Sequence, residues 1–92
     1  MITHLAIHHP KPEYKEDVLA SMRRVDAAAA GKPGLIRVNG WREIEGDRLV
    51  GIAMWESMES FRAAADDIFA VVKDDPFDLW EAAPIESMLL EY

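Results

Sequence analysis

Cysteine is missing from the 92 residues, which removes disulfides and thiolate metal sites from the means of holding a small core together. Basic residues are few: 10 Lys and Arg stand against 17 Asp and Glu, for a formal charge of −7. With no basic stripe the chain offers nothing to a phosphate backbone or an anionic lipid surface, which speaks against nucleic acid and membrane as partners. No apolar run approaches the ~20 residues needed to span a bilayer. The opening stretch MITHLAIHH lacks the positively charged region of a secretory signal and is too short for one, so a cytoplasmic protein is expected. There is no glycine-rich phosphate loop, no G-x-S-x-G and no carboxylate pair at metal-binding spacing, so neither nucleotide, flavin nor metal has a motif here. The cofactor expectation is none.

What is present is half hydrophobic by residue count. A single domain of this size buries only about 60–65% of the surface its unfolded chain exposes, so self-association is the expected remedy for a thin core. The acids are concentrated late. Residues 56–92 carry ten of them against Arg62 and Lys73 alone, while the first 55 residues are close to balanced.

Hydrophobic periodicity divides the chain into six main elements. Ile2 to His8 is apolar on both sides, as in a central strand covered on both faces. Pro12 suits the first position of a helix whose stripe runs Tyr14, Val18, Met22, Val25 and Ala29, with Gly31 and Pro33 to end it. Leu35 to Ile44 reads as a strand, with Ile36, Val38 and Ile44 on one face and Leu35, Arg37, Asn39, Trp41 and Glu43 on the other. Gly46-Asp47 turns it into a third strand, Leu49 to Trp55, as a hairpin. Small Gly51 and Ala53 share a face with Trp55, leaving room above the sheet beside a large ring. Ser57 caps a second helix with the stripe Met58, Phe61, Ala65, Ile68 and Val72. A short helix, Pro76 to Ala82, and a last strand, Ile85 to Tyr92, complete the order.

That order, βαββαβ, predicts an α+β ferredoxin-like fold: a four-stranded antiparallel sheet, strands 1 and 3 central, both helices on one face. Strands 1, 3 and 4 are apolar on the other face too. A second sheet must cover it, most simply that of an identical subunit.

Where the third strand meets the second helix, the residues Trp55, Ser57 and Phe61 form a W-x-S-x-x-x-F stretch. With the element order, this stretch resembles the antibiotic biosynthesis monooxygenase (ABM) domain family, the dimeric α+β barrels. The resemblance implies a pocket between sheet and helices in each subunit, lined by Trp55, and includes cofactor-independent oxygenases of phenolic or quinol substrates, haem-degrading enzymes and isomerases. Haem degradation in relatives implies an axial His on the helix after this Trp, and residues 56–92 contain no histidine.

Several residues are candidates for chemistry. His4 and His8 share a strand face but lie ~13 Å apart along it, too far to ligate one metal. His8, near the strand end, suits a general base; the alternative is a histidine hydrogen-bonded at a strand end or subunit contact. Asn39 is a candidate donor to a substrate oxyanion, against the alternative of an exposed or dimer-facing edge. Trp55, Phe61 and Trp80 are candidate substrate-binding aromatics, Trp80 as a lid or a plug, against the alternative of ordinary core. The reading is a cofactor-independent monooxygenase of a small aromatic or quinol-type molecule, with His8, Asn39 and Trp55 catalytic. The alternatives are a non-catalytic dimeric barrel that binds a small apolar ligand and a non-redox enzyme such as an isomerase.

Overall fold

The structure is a computed structural model that describes residues 1–92. Alternating apolar residues give β1 (Ile2–His8), β2 (Leu35–Arg42), β3 (Leu49–Trp55) and β4 (Glu86–Glu91), and the stripes give α1 (Lys15–Ala29), α2 (Met58–Ala70) and the short α3 (Phe77–Trp80). Pro12 opens a 3-10 turn, Pro12–Tyr14, that leads into α1. The sheet order is β2-β3-β1-β4 and every neighbouring pair is antiparallel, which is the ferredoxin-like α+β arrangement. No helix is long and apolar enough to cross a membrane.

Register decides which side chains meet the helices. Ile2 pairs with Trp55, His4 with Ala53, Ala6 with Gly51 and His8 with Leu49, so these eight residues share the helix-covered face. Thr3, Leu5, Ile7, Val50, Ile52 and Met54 point to the other face, which no element of the chain covers. Along the edges of that open face, Trp41, Met88 and Leu90 are exposed.

The core is divided. At one end of the sheet Val18, Leu19 and Met22 of α1 pack on Leu49, joined by Trp80. At the other, Ile2, Trp55 and Ala64 form the centre of a cluster that takes in Leu35, Met58, Phe61 and Ile68. Trp55 is fully buried; an aromatic of that size removes ~150–250 Å² from water, about 4–6 kcal/mol of transfer free energy at the upper limit.

Two expectations are corrected. A β-bulge between Leu35 and Arg37 inserts one residue, so Leu35 pairs with Trp55 and turns to the core instead of lying with Arg37 and Asn39. Ile36 is half exposed as a result. Strand β2 also stops at Arg42, two residues short of Ile44, which is almost wholly exposed.

Helix α2 begins as its sequence predicts, with Ser57 Oγ accepting a hydrogen bond from the Ser60 amide at 3.1 Å. Gly31 and Gly34 both have φ near +80°. A side chain at Gly31 would meet open space, whereas one at Gly34 would overlap the side chain of Ser60. Gly31→Ala is therefore expected to lose only the strain of the left-handed backbone, about 1–2 kcal/mol. Gly34→Ala should lose more and shift the thermal midpoint down by well over 5 °C, given ~4–8 °C per kcal/mol for a domain of this size. Equal midpoints for the two variants would contradict the close approach of α2 to the β2 entry.

Candidate functional site

Between the two core clusters the sheet carries the small side chains Ala6, Gly51 and Ala53, flanked by His4 and Val38, and above them α1 and α2 enclose a cavity of about 260 Å³. An apolar cavity of ~150 Å³ is enough to hold benzene. The roof is Met22, Val25 and Ala29 from α1 and Phe61, Ala65 and Ile68 from α2, with Val72 just beyond α2 and Phe77 at one end. The apolar stripe of α2 thus lines an open space instead of a packed core, and of that helix only Ala64 is buried.

Polar groups enter this apolar wall at a few points. His4 Nε2 is 2.8 Å from Ser87 Oγ, and the ring lies tilted against Phe61 with centroids 5.4 Å apart. Burial holds the His4 imidazole below its ordinary pKa. His8 sits at the other end, 8% exposed. Its Nδ1 is 3.3 Å from Glu81 Oε1 but not aligned for a hydrogen bond. Burial depresses the His8 pKa, the Glu81 carboxylate opposes that effect, and burial wins. Asp26 on α1 also reaches the wall, its pKa raised by burial.

The end of the cavity near α3 is tied to α1. Ser21 Oγ donates to Asp75 Oδ2 at 2.7 Å, and the Arg24 guanidinium grips both oxygens of the same carboxylate while Nη1 also donates to the Val71 carbonyl. This fixes the chain leaving α2 over Val72 and Phe77.

Of the residues singled out by sequence, His8, Trp55 and Phe61 line the cavity, His8 at the Leu49 end and Trp55 with Phe61 at the other. The Trp55 and Phe61 rings meet edge to face at 6.3 Å, and Trp55 Nε1–H is buried with no partner. Asn39 is not part of this group. It borders the cavity, but its pairing with Ile52 turns the side chain to the open face, where Oδ1 accepts a hydrogen bond from Arg37 Nε at 2.6 Å. Trp80 does not line the cavity. It packs on the Val18, Leu19, Met22 and Leu49 cluster, with its carbonyl accepting from the Lys11 amide at 2.8 Å, so it is a plug in the core and not a lid. Phe77, one turn earlier, takes the place expected of Trp80 and stacks edgewise on it at 5.6 Å.

Sequence reasoning missed Glu81, Ser87 and Asp26. Glu81 reads as one more acid in an acidic tail; only the pairing of Pro10 with Glu81 carries it to His8. Ser87 could have been found from the alternation of β4, which puts it on the face of Ala6.

The two depressed histidines make stability depend on pH in one direction, opposed by the raised carboxyl of Asp26. The folded state binds fewer protons than the unfolded one near their ordinary pKa of ~6.5, so their contribution is complete above that pH and is lost as pH falls through it. Acidification from pH 7.5 to 5.5 is expected to lower the thermal midpoint, and a His4→Gln/His8→Gln double variant should show a flatter dependence. A double variant whose pH dependence matches that of wild type would contradict the burial of both rings.

No protein-family model and no curated protein matches the sequence. Solved structures do match in fold. SnoaB, a cofactor-independent oxygenase from Streptomyces nogalater, superposes with a TM-score of 0.80 at 19% identity, covering 99% of this chain and 91% of that one. An antibiotic biosynthesis monooxygenase gives a TM-score of 0.80 at 15% identity over 100% of this chain and 98% of the other. Rv0793 from Mycobacterium tuberculosis gives 0.85 at 12% identity, covering 99% and 93%. The likeness runs from β1 to β4 and includes the sheet order that creates the cavity, and by it the chain has the fold of the antibiotic biosynthesis monooxygenase domain proteins.

Proposed function

We propose that the protein is a cofactor-independent monooxygenase of a small, flat aromatic or quinol-type substrate bound in the cavity. The observation that carries this reading is the combination of an apolar cavity with a buried imidazole, His8, on its wall and an unpartnered indole donor, Trp55 Nε1–H, in its lining. Neutral His8 takes a proton from an acidic O–H or C–H of the substrate. The Asn39 side chain lies on the other face, and Trp55 Nε1–H, at the opposite end of the cavity from His8, is the donor that holds a distal polar group of the substrate. The anion then gives electrons directly to oxygen, one oxygen atom staying on the substrate and the other leaving as water. For a benzylic CH₂ centre the balance is R₂CH₂ + O₂ → R₂C=O + H₂O. Phe61 and Phe77 supply flat apolar surface around the ring system.

The working unit in this reading is a homodimer. One chain has helices for only one face of its sheet, and the open face presents Leu5, Ile7, Val50, Ile52 and Met54 in a row flanked by Trp41, Met88 and Leu90. A second copy laid face to face closes both sheets into an α+β barrel and removes these side chains from water.

Oxygen consumption with a panel of hydroquinones and anthrones tests the activity. His8→Ala is expected to lower turnover by about 10²–10⁴-fold, the usual contribution of a positioned base. Trp55→Phe, chosen because Trp55→Ala would open a core cavity at about 3–5 kcal/mol, should lower it while leaving the fold intact. Ligand-induced thermal shifts without any oxygen uptake would favour a non-catalytic binding protein instead, and product formed without oxygen would favour an isomerase. Sedimentation should give about twice 10.4 kDa and Leu5→Lys should give a folded monomer; a wild-type monomer at micromolar concentration would overturn the dimer.

A further inference from the structure

Two histidines line the cavity, and only one of them is backed by a carboxylate. We propose that Glu81 is a positioning residue for His8, holding the imidazole with Nδ1 toward the carboxylate and Nε2 toward the cavity so that the two side chains work as a buried acid–base pair. This rests on the reading of His8 as the base.

The first observation is burial. The Glu81 side chain is 5% exposed and that of His8 10%. A carboxylate is almost never so enclosed without a partner that repays its desolvation. Oε1 has one, the His9 amide at 2.9 Å, and stands 3.3 Å from His8 Nδ1; Oε2 is buried with none. His8 Nδ1 is likewise buried without a hydrogen bond. A buried imidazole nitrogen without a hydrogen bond therefore stands 3.3 Å from one oxygen of a buried carboxylate whose other oxygen also lacks a partner.

The second observation is that Glu81 is fixed in the backbone. It bridges antiparallel to Pro10, with the Ala82 amide donating to the His9 carbonyl at 2.7 Å and the Lys11 amide to the Trp80 carbonyl at 2.8 Å. The carboxylate is thus attached to the end of the very strand that carries His8. Phe77 closes the pair from another side, its ring centroid 5.9 Å from that of the imidazole.

The third is the direction of the ring. Nδ1 is sealed off, so His8 meets the cavity through Nε2 and the ring carbons. A proton held on Nδ1 by Glu81 leaves the Nε2 lone pair free for a substrate proton, and the carboxylate then stabilises the imidazolium that forms. Only a proton moves, from the substrate to Nε2, and it returns to the departing peroxide or water.

Burial and the carboxylate act on His8 in opposite senses, and His9, next along the chain, adds a smaller effect in the same sense as burial. The other titratable groups nearby are Glu86, engaged with His9 Nε2 at 2.7 Å, and on the cavity wall His4 of the same strand and Asp26 of α1. None of them stands where Glu81 does. His4, by contrast, has a serine hydroxyl as its partner.

Imidazole ¹⁵N spectra of the whole protein, titrated with pH, test the pair without reference to turnover. Wild type should show neutral His8 with its proton on Nδ1. Glu81→Gln keeps an oxygen acceptor and removes the charge, so the tautomer should persist while the His8 midpoint falls by roughly one pH unit or more. Glu81→Ala should release the tautomer as well, and if that variant does not fold, the isosteric Gln variant still decides the matter. The acid limb of kcat/KM for oxygen uptake should move down in pH with the His8 midpoint in Glu81→Gln. A wild-type proton on Nε2, or an unchanged His8 midpoint in Glu81→Gln, would overturn the proposal. If the spectra behave as expected but His8→Ala retains full oxygen uptake, the pair stands and the assignment of His8 as the base fails.

Discussion

The helices of this fold are held off the middle of the sheet by a packed cluster at each end. Ala6, Gly51 and Ala53 are small enough to leave space beneath α1 and α2, into which Met22 reaches toward Gly51, while Leu49 at one end and Trp55 at the other are fully buried beneath the helices. The helices therefore span a gap, and the gap is the cavity. A protein interior closes up wherever it can, because a void forfeits dispersion contacts with nothing gained. The two clusters act as spacers that prevent this, and the Arg24–Asp75–Ser21 network holds the third side.

The same arrangement accounts for the electrostatics. Polar side chains that come up from the sheet into an apolar space lose water and must be repaid by a neighbour or remain neutral. His4 and His8 lie at opposite ends of the small-residue floor, where the spacers begin, and both are held toward the neutral form. Neutral imidazole in a dry apolar site is the form that can accept a proton. The surface acids of α2 play no part in this. Asp67, for instance, is held in its ionised form by Lys32 across to the end of α1, an exposed pair of small energetic weight.

Much of the fold was legible in the sequence, and the reason is visible in particular residues. The alternation of β1, the Ser57 cap, the Pro12 start and the Gly31 stop are local signals, each satisfied by atoms within a few residues. The errors fell where a local rule met a distant partner. Strict alternation put Leu35 beside Arg37, but the bulge at Ile36 gives Leu35 to the Trp55 cluster, because burying a leucine there outweighs one irregular pair in an edge strand. Trp80 read equally as a lid or a plug, and only its packing on the α1 cluster, with backbone hydrogen bonds to the chain after β1, makes it the plug.

The amino-acid order by itself determined the six-element order, the covered and uncovered faces of the central strands, and the presence of small residues beside Trp55, since each depends only on spacing along one element. Which polar groups share the cavity was decided by tertiary structure. Asn39 is turned away from it by pairing register, and Glu81 is brought to His8 across 73 positions of chain by the Pro10 bridge. Spacing carries no information of that kind, because the proximity of two side chains from separate segments is fixed only when the sheet closes and sets which residues lie opposite one another.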